Sequence, residues 1–423
     1  MGRIQTDLEP PIDAAHQPNQ GAATGFSHLT LTAFRNFREL SVELEPMPVV
    51  LTGKNGAGKS NLLEAISFLA PGAGMRNAGL GEVDCRGNSN QPRGAFGAVA
   101  GGPAWAVHGL YAGRRGEYGL GTGRDPLGPS QTGRERRVSR VNGAPARSQA
   151  TFAEILTVLW LTPQMDRLFS DAASSRRRFL DRLVYGLDPN HAARIGAYEQ
   201  AMRERARILR GEAPETGAED RASWLTGLET EMAAQAVAIA AARLDAATRL
   251  NGAMEEAVGP FPRAGIAADG AVEAWLGEVP ALEAEERLKQ RLAESRQSDA
   301  AAGTTQWGAH RCDLGVTYLG RNLGQQPLQA TDCSTGEQKS LLISILLAQA
   351  RLLRSLRGEA PVLLLDEVVA HLDAERRAYL FGEILGLGAQ PWLTGTEADL
   401  FKPLRGRAQF FTVSDARLTR ELV

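Results

Sequence analysis

The sequence is poor in several residue types, and each shortage excludes a class of protein. Only five of its 47 basic residues are lysines, and its three cysteines are far apart and lack the spacing of metal ligands. This cysteine content fits reduced thiols and excludes a disulfide-rich secreted scaffold. No run approaches the ~20 apolar residues of a membrane-spanning helix, and the first residues lack the basic and then apolar plan of a secretory signal. We therefore expect a cytoplasmic protein with no membrane partner.

What remains is the composition of an ordinary globular chain, with 43% hydrophobic and 23% charged residues among 423, enough for two or three domains. The net charge of −2 excludes a uniformly basic binder of polyanions. Local basic patches remain possible: residues 86–147 contain ten arginines and only three acidic residues.

The chain divides into four stretches by composition and periodicity. Residues 1–27 are rich in Pro, Gln, Ala and Gly, which predicts a disordered tail. Short apolar alternations in residues 28–165 predict strands, including an antiparallel layer, and strands and helices return in residues 305–423. Between them, the apolar residues of 166–304 have helical spacing. Two breaks divide an Ala-rich part of this segment. If that part folds as an antiparallel hairpin of two helices, the hairpin would be about 75 Å long. The predicted fold is α/β, with an inserted α-helical arm.

The strongest motif follows the apolar strand PVVLT. It fits the P-loop pattern G-x-x-x-x-G-K-S in full, and a helix follows it. Glycines let the backbone approach phosphates closely, Lys59 would neutralise their oxygens, and Ser60 would bind Mg²⁺. The alternative is a glycine-rich turn that matches by chance, which the strand and helix on either side disfavour. The predicted ATP-binding residues are Gly53, Lys54, Asn55, Gly56, Ala57, Gly58, Lys59 and Ser60.

A second motif, PVLLLDE, is an apolar strand that ends in two carboxylates, Asp366 and Glu367. A buried parallel strand with polar residues at its carboxyl end commonly faces a ligand. We assign Asp366 to Mg²⁺ and Glu367 to catalysis, as the general base that polarises the attacking water.

A third motif has the form of a helix capping box, and taken alone it predicts nothing more than a capped helix. It consists of Ser334, Thr335, Gly336, Glu337 and Gln338. The order of P-loop, STGEQ, LLLDE and AHLD nevertheless resembles ATP-binding cassette (ABC) ATPases, in which the capped helix of one subunit faces the γ-phosphate held by the other. The resemblance implies an ABC-type ATPase head that forms an ATP-dependent homodimer, with a D-loop at Ala370, His371, Leu372 and Asp373.

Further segments resemble one group of such heads. The opening FRNF before GKNGAGKSNLLEAI is similar to the RecF, SMC and Rad50 group. Within this group VNG at 141–143, LTPQMDRLF at 161–169, RRRFLD at 176–181 and GAHRCDL at 308–314 resemble the RecF family. The resemblance spans residues 28–423.

This resemblance implies roles for individual residues. Arg35 and Asn36 would line the nucleotide, and Gln164 would lie near the loop that senses Mg²⁺ and the γ-phosphate, although the family more often has an acid there. Many cassettes have a histidine where this chain has TGTE, with Thr396 as the nearest candidate. Its absence implies slow hydrolysis.

Two arginine clusters are candidates for DNA contact. Arg134, Arg136, Arg137 and Arg140 lie on an expected strand and loop, where they would bind phosphates without reading sequence. Arg176, Arg177 and Arg178 open an expected helix capped by Ser174 or Ser175, where three cations oppose the helix dipole. For the second cluster two explanations are equally good: contact with a phosphate or an acidic partner, or arginines that extend into water or pair with nearby acids.

The RecF resemblance implies an ATP-dependent DNA-binding protein of recombinational repair. It would hydrolyse ATP weakly with stimulation by DNA, bind gapped DNA or a junction, and support RecA loading with RecO and RecR. One alternative is a transporter cassette, in which the RNF opening and the RRRFLD segment are not expected. Another is a structural tether of SMC type, which the sequence separation of 274 from Ser60 to Ser334 disfavours as too short for long arms.

Overall fold

The computed structural model describes residues 24–85, 104–126, 135–147, 149–212, 218–256, 259–320 and 326–421. Strands in the described residues are β1 Gly25–Phe34, β2 Phe37–Glu43, β3 Val49–Thr52, β4 Ala106–Gly113, β5 Gly116–Arg124, β6 Arg137–Val141, β7 Ala144–Pro145, β8 Val158–Leu161, β9 Ala264–Asp269, β10 Asp313–Tyr318, β11 Leu328–Gln329, β12 Val362–Leu365, β13 Pro391–Thr394, β14 Gln409–Ser414 and β15 Arg417–Glu421. The helices are α1 Lys59–Ser67, α2 Ala150–Ile155, α3 Ala173–Tyr185, α4 His191–Leu209, α5 Ala218–Glu255, α6 Ala271–Leu276, α7 Ala281–Glu294, α8 Arg296–Ala302, α9 Thr335–Arg357 and α10 Ala374–Gly386.

A mixed six-stranded sheet in the order β15-β14-β3-β13-β12-β8 forms the centre of the fold. Five of its strands are parallel, and only β15 runs antiparallel to its neighbour. The strands β3, β8, β12 and β13 are each buried along their whole length. Continuous apolar runs such as VLLL therefore predict this layer well, because helices or a second sheet cover both of its faces.

Alternate residues of these strands belong to two separate cores. In β12, Val362 and Leu364 pack with the aromatic core that includes Phe34, Phe68 and Trp105. Leu363 and Leu365 instead pack with the apolar face of α9 and with residues of α10. The central sheet thus separates two hydrophobic cores.

The predicted antiparallel layer is a second six-stranded sheet, in the order β2-β1-β4-β5-β6-β7. It packs against α1 through the same aromatic core. The first strand begins at Gly25, three residues before the predicted start at residue 28. The rest of the predicted tail, residues 1–23, lies outside the described residues.

In the part of the inserted segment that the structure describes there are six α-helices and also one strand. Helices α4, α5 and α7 share a third hydrophobic core, which includes Tyr198, Met232 and Leu288. The 38 residues of α5 make a helix of about 57 Å, and shorter helices pack along it, so the expected 75 Å hairpin is wrong. Strand β9 pairs with β10 in a small sheet of order β11-β10-β9, which the expectation of an all-helical arm missed.

Several predicted elements have the expected bounds. Helix α9 covers the predicted 335–357, and α10 follows Asp373, whose side chain accepts from the Arg376 N–H at its start. Helix α3 differs: its N-cap is Ala172, which makes no side-chain cap, so the predicted cap at Ser174 or Ser175 is wrong. Both serines lie inside the first turn of α3 instead.

Candidate nucleotide site

The P-loop joins β3 to α1 and can be built only around glycine. Gly53, Gly56 and Gly58 have φ of 136°, 80° and 115°, which side chains with a Cβ rarely adopt. A Cβ at Gly53 would collide with the Val413 carbonyl, and one at Gly58 would lie 2.5 Å from Asn36 Nδ2. The glycine spacing therefore encodes a loop whose backbone N–H groups are accessible to a ligand.

Lys59 lies across this loop as a buried cation, with 4% of the residue exposed. Its Nζ donates to the carbonyl oxygens of Gly53, at 2.6 Å, and of Lys54, at 3.1 Å. Burial lowers the pKa of Lys59, and the charges of Glu367 and Asp366 partly oppose this shift. A phosphate at the loop would supply the counter-charge that the two carbonyls lack.

Ser60 and Asp366 meet at the carboxyl ends of β3 and β12. Ser60 Oγ donates to Asp366 Oδ1 at 2.8 Å, and Asp366 is 5% exposed. A hydroxyl and a carboxylate are the hard oxygen ligands that Mg²⁺ prefers. The pair fits the predicted metal role, in which a bound Mg²⁺ would neutralise charge on phosphate oxygens.

Glu367 follows in a left-handed conformation, with φ of 53°. Its N–H donates to Thr394 Oγ1 at 2.9 Å, and the residue is half-buried at the edge of the site. Its carboxylate is close enough to the P-loop for its charge to act on the pKa of Lys59. Its assignment as the general base remains a prediction.

The RNF segment contacts the P-loop and its helix. Asn36 Nδ2 donates to the Ala57 carbonyl at 3.1 Å, so this predicted residue touches the loop directly. Arg35 faces α1 instead: its guanidinium binds the fully buried carboxylate of Glu64 and the Glu82 carbonyl. Of the two predicted nucleotide-lining residues, Arg35 already has its nitrogen atoms engaged by protein oxygens.

Gln164 lies in a short 3-10 helix, Pro163–Arg167, directly after β8, and its side chain is exposed. Asp166 of the same turn forms an ion pair with Lys339 of α9 at 3.4 Å. These two residues border a small cleft, with room for about one water molecule, that also reaches Asp366. Sequence reasoning chose Gln164 and missed this pair, although an acid two residues further on was a visible signal.

The STGEQ motif, residues 334–338, forms a complete capping box at the start of α9. Glu337 N–H donates to Ser334 Oγ at 3.4 Å, while Glu337 Oε2 accepts from the Ser334 N–H at 2.9 Å. Ser334, Thr335 and Gly336 are exposed, and a Cβ at Gly336 would meet nothing within 4 Å. Gln338 is buried, and its amide donates to the Cys333 carbonyl. Within the described residues, no hydrogen bond or ion pair joins residues 334–338 to residues 53–60.

The predicted D-loop lies between β12 and α10. Ala370 and His371 are exposed in the 3-10 turn Val369–His371, and Leu372 is buried in the core around α9. Asp373 has the definite structural role of capping α10.

The first arginine cluster divides by burial. Arg136 and Arg140 are exposed near and on β6. Arg137 turns inward: its guanidinium donates to the carbonyls of Phe68, Gly72 and Ala70, and burial lowers its pKa. Its assignment to DNA contact is therefore wrong, because its guanidinium is already hydrogen-bonded to backbone carbonyls inside the head. Arg134 lies outside the described residues.

The second cluster divides in the same way. Arg176 binds the Asp313 carboxylate, with 2.6 Å between Nη2 and Oδ2, and Arg177 donates to the Cys312 carbonyl at 2.9 Å. Pairing with protein groups is therefore the right explanation for these two. Only Arg178 is exposed.

Thr394 is the residue of this site that sequence reasoning missed outright. It is fully buried, and its hydroxyl donates to Asp366 Oδ1 at 2.7 Å. The named candidate, Thr396, lies two residues beyond it and is exposed. A hydroxyl at the end of an otherwise apolar strand was the signal available.

A P-loop after the parallel strand β3, a carboxylate pair after β12 and a capped helix α9 define a P-loop ATPase head of the ABC type. The AAA domain family matches residues 28–91. The protein named "DNA replication and repair protein RecF" from Mesorhizobium japonicum is 46% identical over 395 residues, which cover 93% of this chain and 97% of that protein. The protein of the same name from Brucella abortus is 45% identical and covers 92% and 95%. The chain belongs to the RecF family.

Solved structures agree on the fold. One described as the "recombination mediator protein RecF-ATPrS in RecFOR pathway" has a TM-score of 0.75 at 22% identity, covering 95% of this chain and 99% of that chain. A Smc head domain with an extended coiled coil from Pyrococcus furiosus has a TM-score of 0.50 at 15% identity, covering 94% and 96%. None of the helices in the described residues has a stretch long and apolar enough to span a lipid bilayer.

Proposed function

We propose that this chain is an ATP-dependent DNA-binding protein of recombinational DNA repair and replication-gap maintenance, acting in the cytoplasm. Family membership supports this role, since its relatives are named DNA replication and repair proteins. The observation that carries the ATP dependence is the convergence of Lys59, Ser60, Asp366 and Glu367 on one edge of the central sheet.

The residues of this edge have distinct parts in hydrolysis. Backbone N–H groups of the P-loop and the first turn of α1 donate to phosphate oxygens, and Lys59 neutralises them. Ser60 and Asp366 would hold Mg²⁺, which would neutralise charge on the phosphate oxygens. Glu367 accepts a proton from the attacking water, because its carboxylate lies beside the metal-binding pair rather than in it.

ATP joins two copies head to head. The start of α9 is exposed and capped, and in the part of the chain that the structure describes it has no hydrogen bond to its own P-loop. Its N–H groups and dipole can therefore meet the nucleotide of a second copy. Hydrolysis then removes the group that both protomers share, and the dimer separates. TGTE in place of a histidine supports slow turnover, and DNA stimulates it.

DNA contact falls to the exposed arginines. Arg136 and Arg140 lie on the antiparallel sheet, and Arg178 lies on α3. Their guanidinium groups bind phosphates of a gapped duplex or junction, so affinity falls with salt and does not depend on base sequence. An Arg136→Ala, Arg140→Ala double variant is expected to reduce the salt dependence of DNA affinity, whereas Arg203→Ala, an exposed arginine of the arm, leaves it unchanged.

The partners follow from the family. Solved relatives are described as recombination mediators in the RecFOR pathway. We extend this to the present chain: with RecO and RecR it supports the loading of RecA on single-stranded DNA beside a duplex.

Sedimentation with ATP and a gapped duplex tests the dimer and the nucleotide site together. Glu367→Gln is expected to accumulate as a DNA-bound dimer, because it binds ATP but does not hydrolyse it. Ser334→Arg is expected to bind nucleotide as a monomer, because the arginine blocks the exposed start of α9. Lys59→Arg serves as the variant impaired at the P-loop itself.

Two results would overturn the proposal. A Ser334→Arg protein that still dimerises on ATP would exclude the shared site, and a Glu367→Gln protein that turns over ATP at the wild-type rate would exclude the assigned base.

A further inference from the structure

Strand β13 occupies the position between the P-loop strand and the strand that ends in Asp366. It is parallel to both, with Thr394 paired to Leu51 of β3 and Leu393 paired to Leu365 of β12. Because the carboxyl ends of parallel strands meet at one edge, the last residue of β13 lies where both halves of the nucleotide site converge. That residue is Thr394, which is fully buried.

The Thr394 hydroxyl uses its donor and an acceptor lone pair on two different catalytic groups. It donates to Asp366 Oδ1 at 2.7 Å and accepts the Glu367 N–H at 2.9 Å. The same Asp366 oxygen accepts from Ser60 Oγ at 2.8 Å. One side chain thus connects the carboxylate assigned to the metal with the backbone of the assigned general base.

The bond to Glu367 matters because of that residue's backbone. With φ of 53°, Glu367 has a left-handed conformation that is costly for a residue with a side chain. Such a conformation persists when surrounding contacts hold it, and the Thr394 bond holds its N–H. If the bond is lost, the chain after Asp366 can relax and carry the Glu367 carboxylate away.

We propose that Thr394 is a positioning residue for ATP hydrolysis, which fixes the orientation of the Asp366 carboxylate and the placement of Glu367. This inference rests on the proposed ATPase function and adds a residue to it. Within the described residues, Thr394 makes no hydrogen bond with Lys59 or with the P-loop glycines; its hydroxyl bonds Asp366 and Glu367. Its removal therefore affects hydrolysis and the Mg²⁺ requirement more than ATP binding.

Thr394→Val removes the hydroxyl and keeps the β-branched shape, whereas Thr394→Ser keeps the hydroxyl. The control is Thr412→Val on β14, which lies on the other side of β3; its hydroxyl bonds Glu421 and Thr52 rather than Asp366 or Glu367. The measurements are single-turnover ATP hydrolysis across a Mg²⁺ titration, equilibrium ATP binding and ATP-dependent sedimentation. Thermal melting checks folding, and Thr394→Ala replaces the valine variant if that protein does not fold.

We expect Thr394→Val to hydrolyse ATP about tenfold more slowly or worse, as a misplaced catalytic group does. Its Mg²⁺ midpoint shifts upward and its ATP affinity stays close to wild type. Serine restores the rate, and Thr412→Val behaves as wild type. Wild-type hydrolysis by Thr394→Val, or equal defects in the valine and serine variants, would overturn the inference. Failure of the proposed function is seen separately, as a wild-type protein that neither dimerises on ATP nor hydrolyses it.

Discussion

The P-loop edge of the head and the core of the arm both contain buried cations, but they satisfy them in different ways. In the arm, Arg205 is completely buried, and its guanidinium binds the carboxylates of Glu229 and Asp299 and the Leu292 carbonyl. In the head, the hydrogen bonds of Lys59 within the described residues go to two carbonyls of its own loop, and the charges of Glu367 and Asp366 reach it without a direct ion pair. The arm thus holds its buried cation in direct ion pairs, whereas Lys59 keeps its ammonium group open to direct pairing with an anionic ligand.

The structural role of the buried cation in the arm is tested most directly at Arg205. Arg205→Met leaves Glu229 and Asp299 buried with one partner fewer, so we expect the free energy of unfolding to fall by about 3–5 kcal/mol. Urea denaturation measures it. Arg203→Met on the same helix is the control, because its ion pair with Glu199 is half exposed and should change stability by less than about 1 kcal/mol. A small effect at Arg205 would contradict its structural role.

Lys59→Met should give the opposite pattern. Phosphate binding loses its main side-chain cation, so hydrolysis is expected to fall about 100-fold or more. Stability should stay constant or rise, because the protein no longer buries a lysine without a carboxylate in direct contact. Phosphate release and urea denaturation on the same samples measure both. The control is Lys402→Met, an exposed lysine whose loss should change neither quantity. A marked loss of stability in Lys59→Met would show that Lys59, like Arg205, stabilises the fold, and would contradict the proposed difference between the two cations.

His310, which contacts Tyr198 of the arm, adds a test through the pH dependence of stability. Burial lowers its pKa to about 4, and the Thr305 carbonyl, which contacts Nε2, opposes that shift. The neutral ring can accept from the Tyr198 hydroxyl at Nδ1, 2.6 Å away. This region therefore requires a neutral histidine.

The sign of the pH dependence follows from the lowered pKa. Between pH 6.5 and 4 the unfolded chain binds the proton more readily than the folded chain, so stability falls as pH falls through this window. The loss amounts to about 3 kcal/mol at most. Urea denaturation at several pH values should show this slope, and His310→Gln should reduce it. An unchanged slope in the variant would assign the dependence to other groups.

The smallest effect concerns the ion pair between Lys339 and Asp166, which combines features of both regions. It has a built-in counter-charge, yet it borders the cleft beside Asp366. A double-mutant cycle with Lys339→Gln and Asp166→Asn should give a coupling energy for unfolding of below about 1 kcal/mol, since Asp166 is one-third exposed. A coupling energy of several kcal/mol would show that this ion pair has a structural role like that of Arg205.

Motifs that act through local backbone geometry could be predicted from the sequence. The P-loop, the strand before Asp366 and the capping box at Ser334 each depend on residues a few positions apart, and the structure has each on the expected element. The RecF resemblance rested on several such segments, which is why the family could be inferred before any fold was known.

The fate of individual arginines could not be predicted in this way. Arg137 turns inward because its guanidinium meets carbonyls almost 70 residues away, and Arg176 pairs with Asp313 at a separation of 137 residues. Thr394 escaped notice for the same reason, since its role depends on strand order in the sheet rather than on its neighbours in the chain. Pattern reasoning detects charge but cannot tell which charges the fold will enclose.

Strand β9 belongs to the inserted segment, yet it pairs with β10, whose partner β11 leads through one short turn into α9. Ser344 of α9 also donates to the Pro262 carbonyl, just before β9. Strand pairing and a hydrogen bond therefore connect the arm to helix α9. A displacement of the arm relative to the head would therefore have to disturb the strand pair β9–β10 and the Ser344 hydrogen bond, both of which lie close to helix α9.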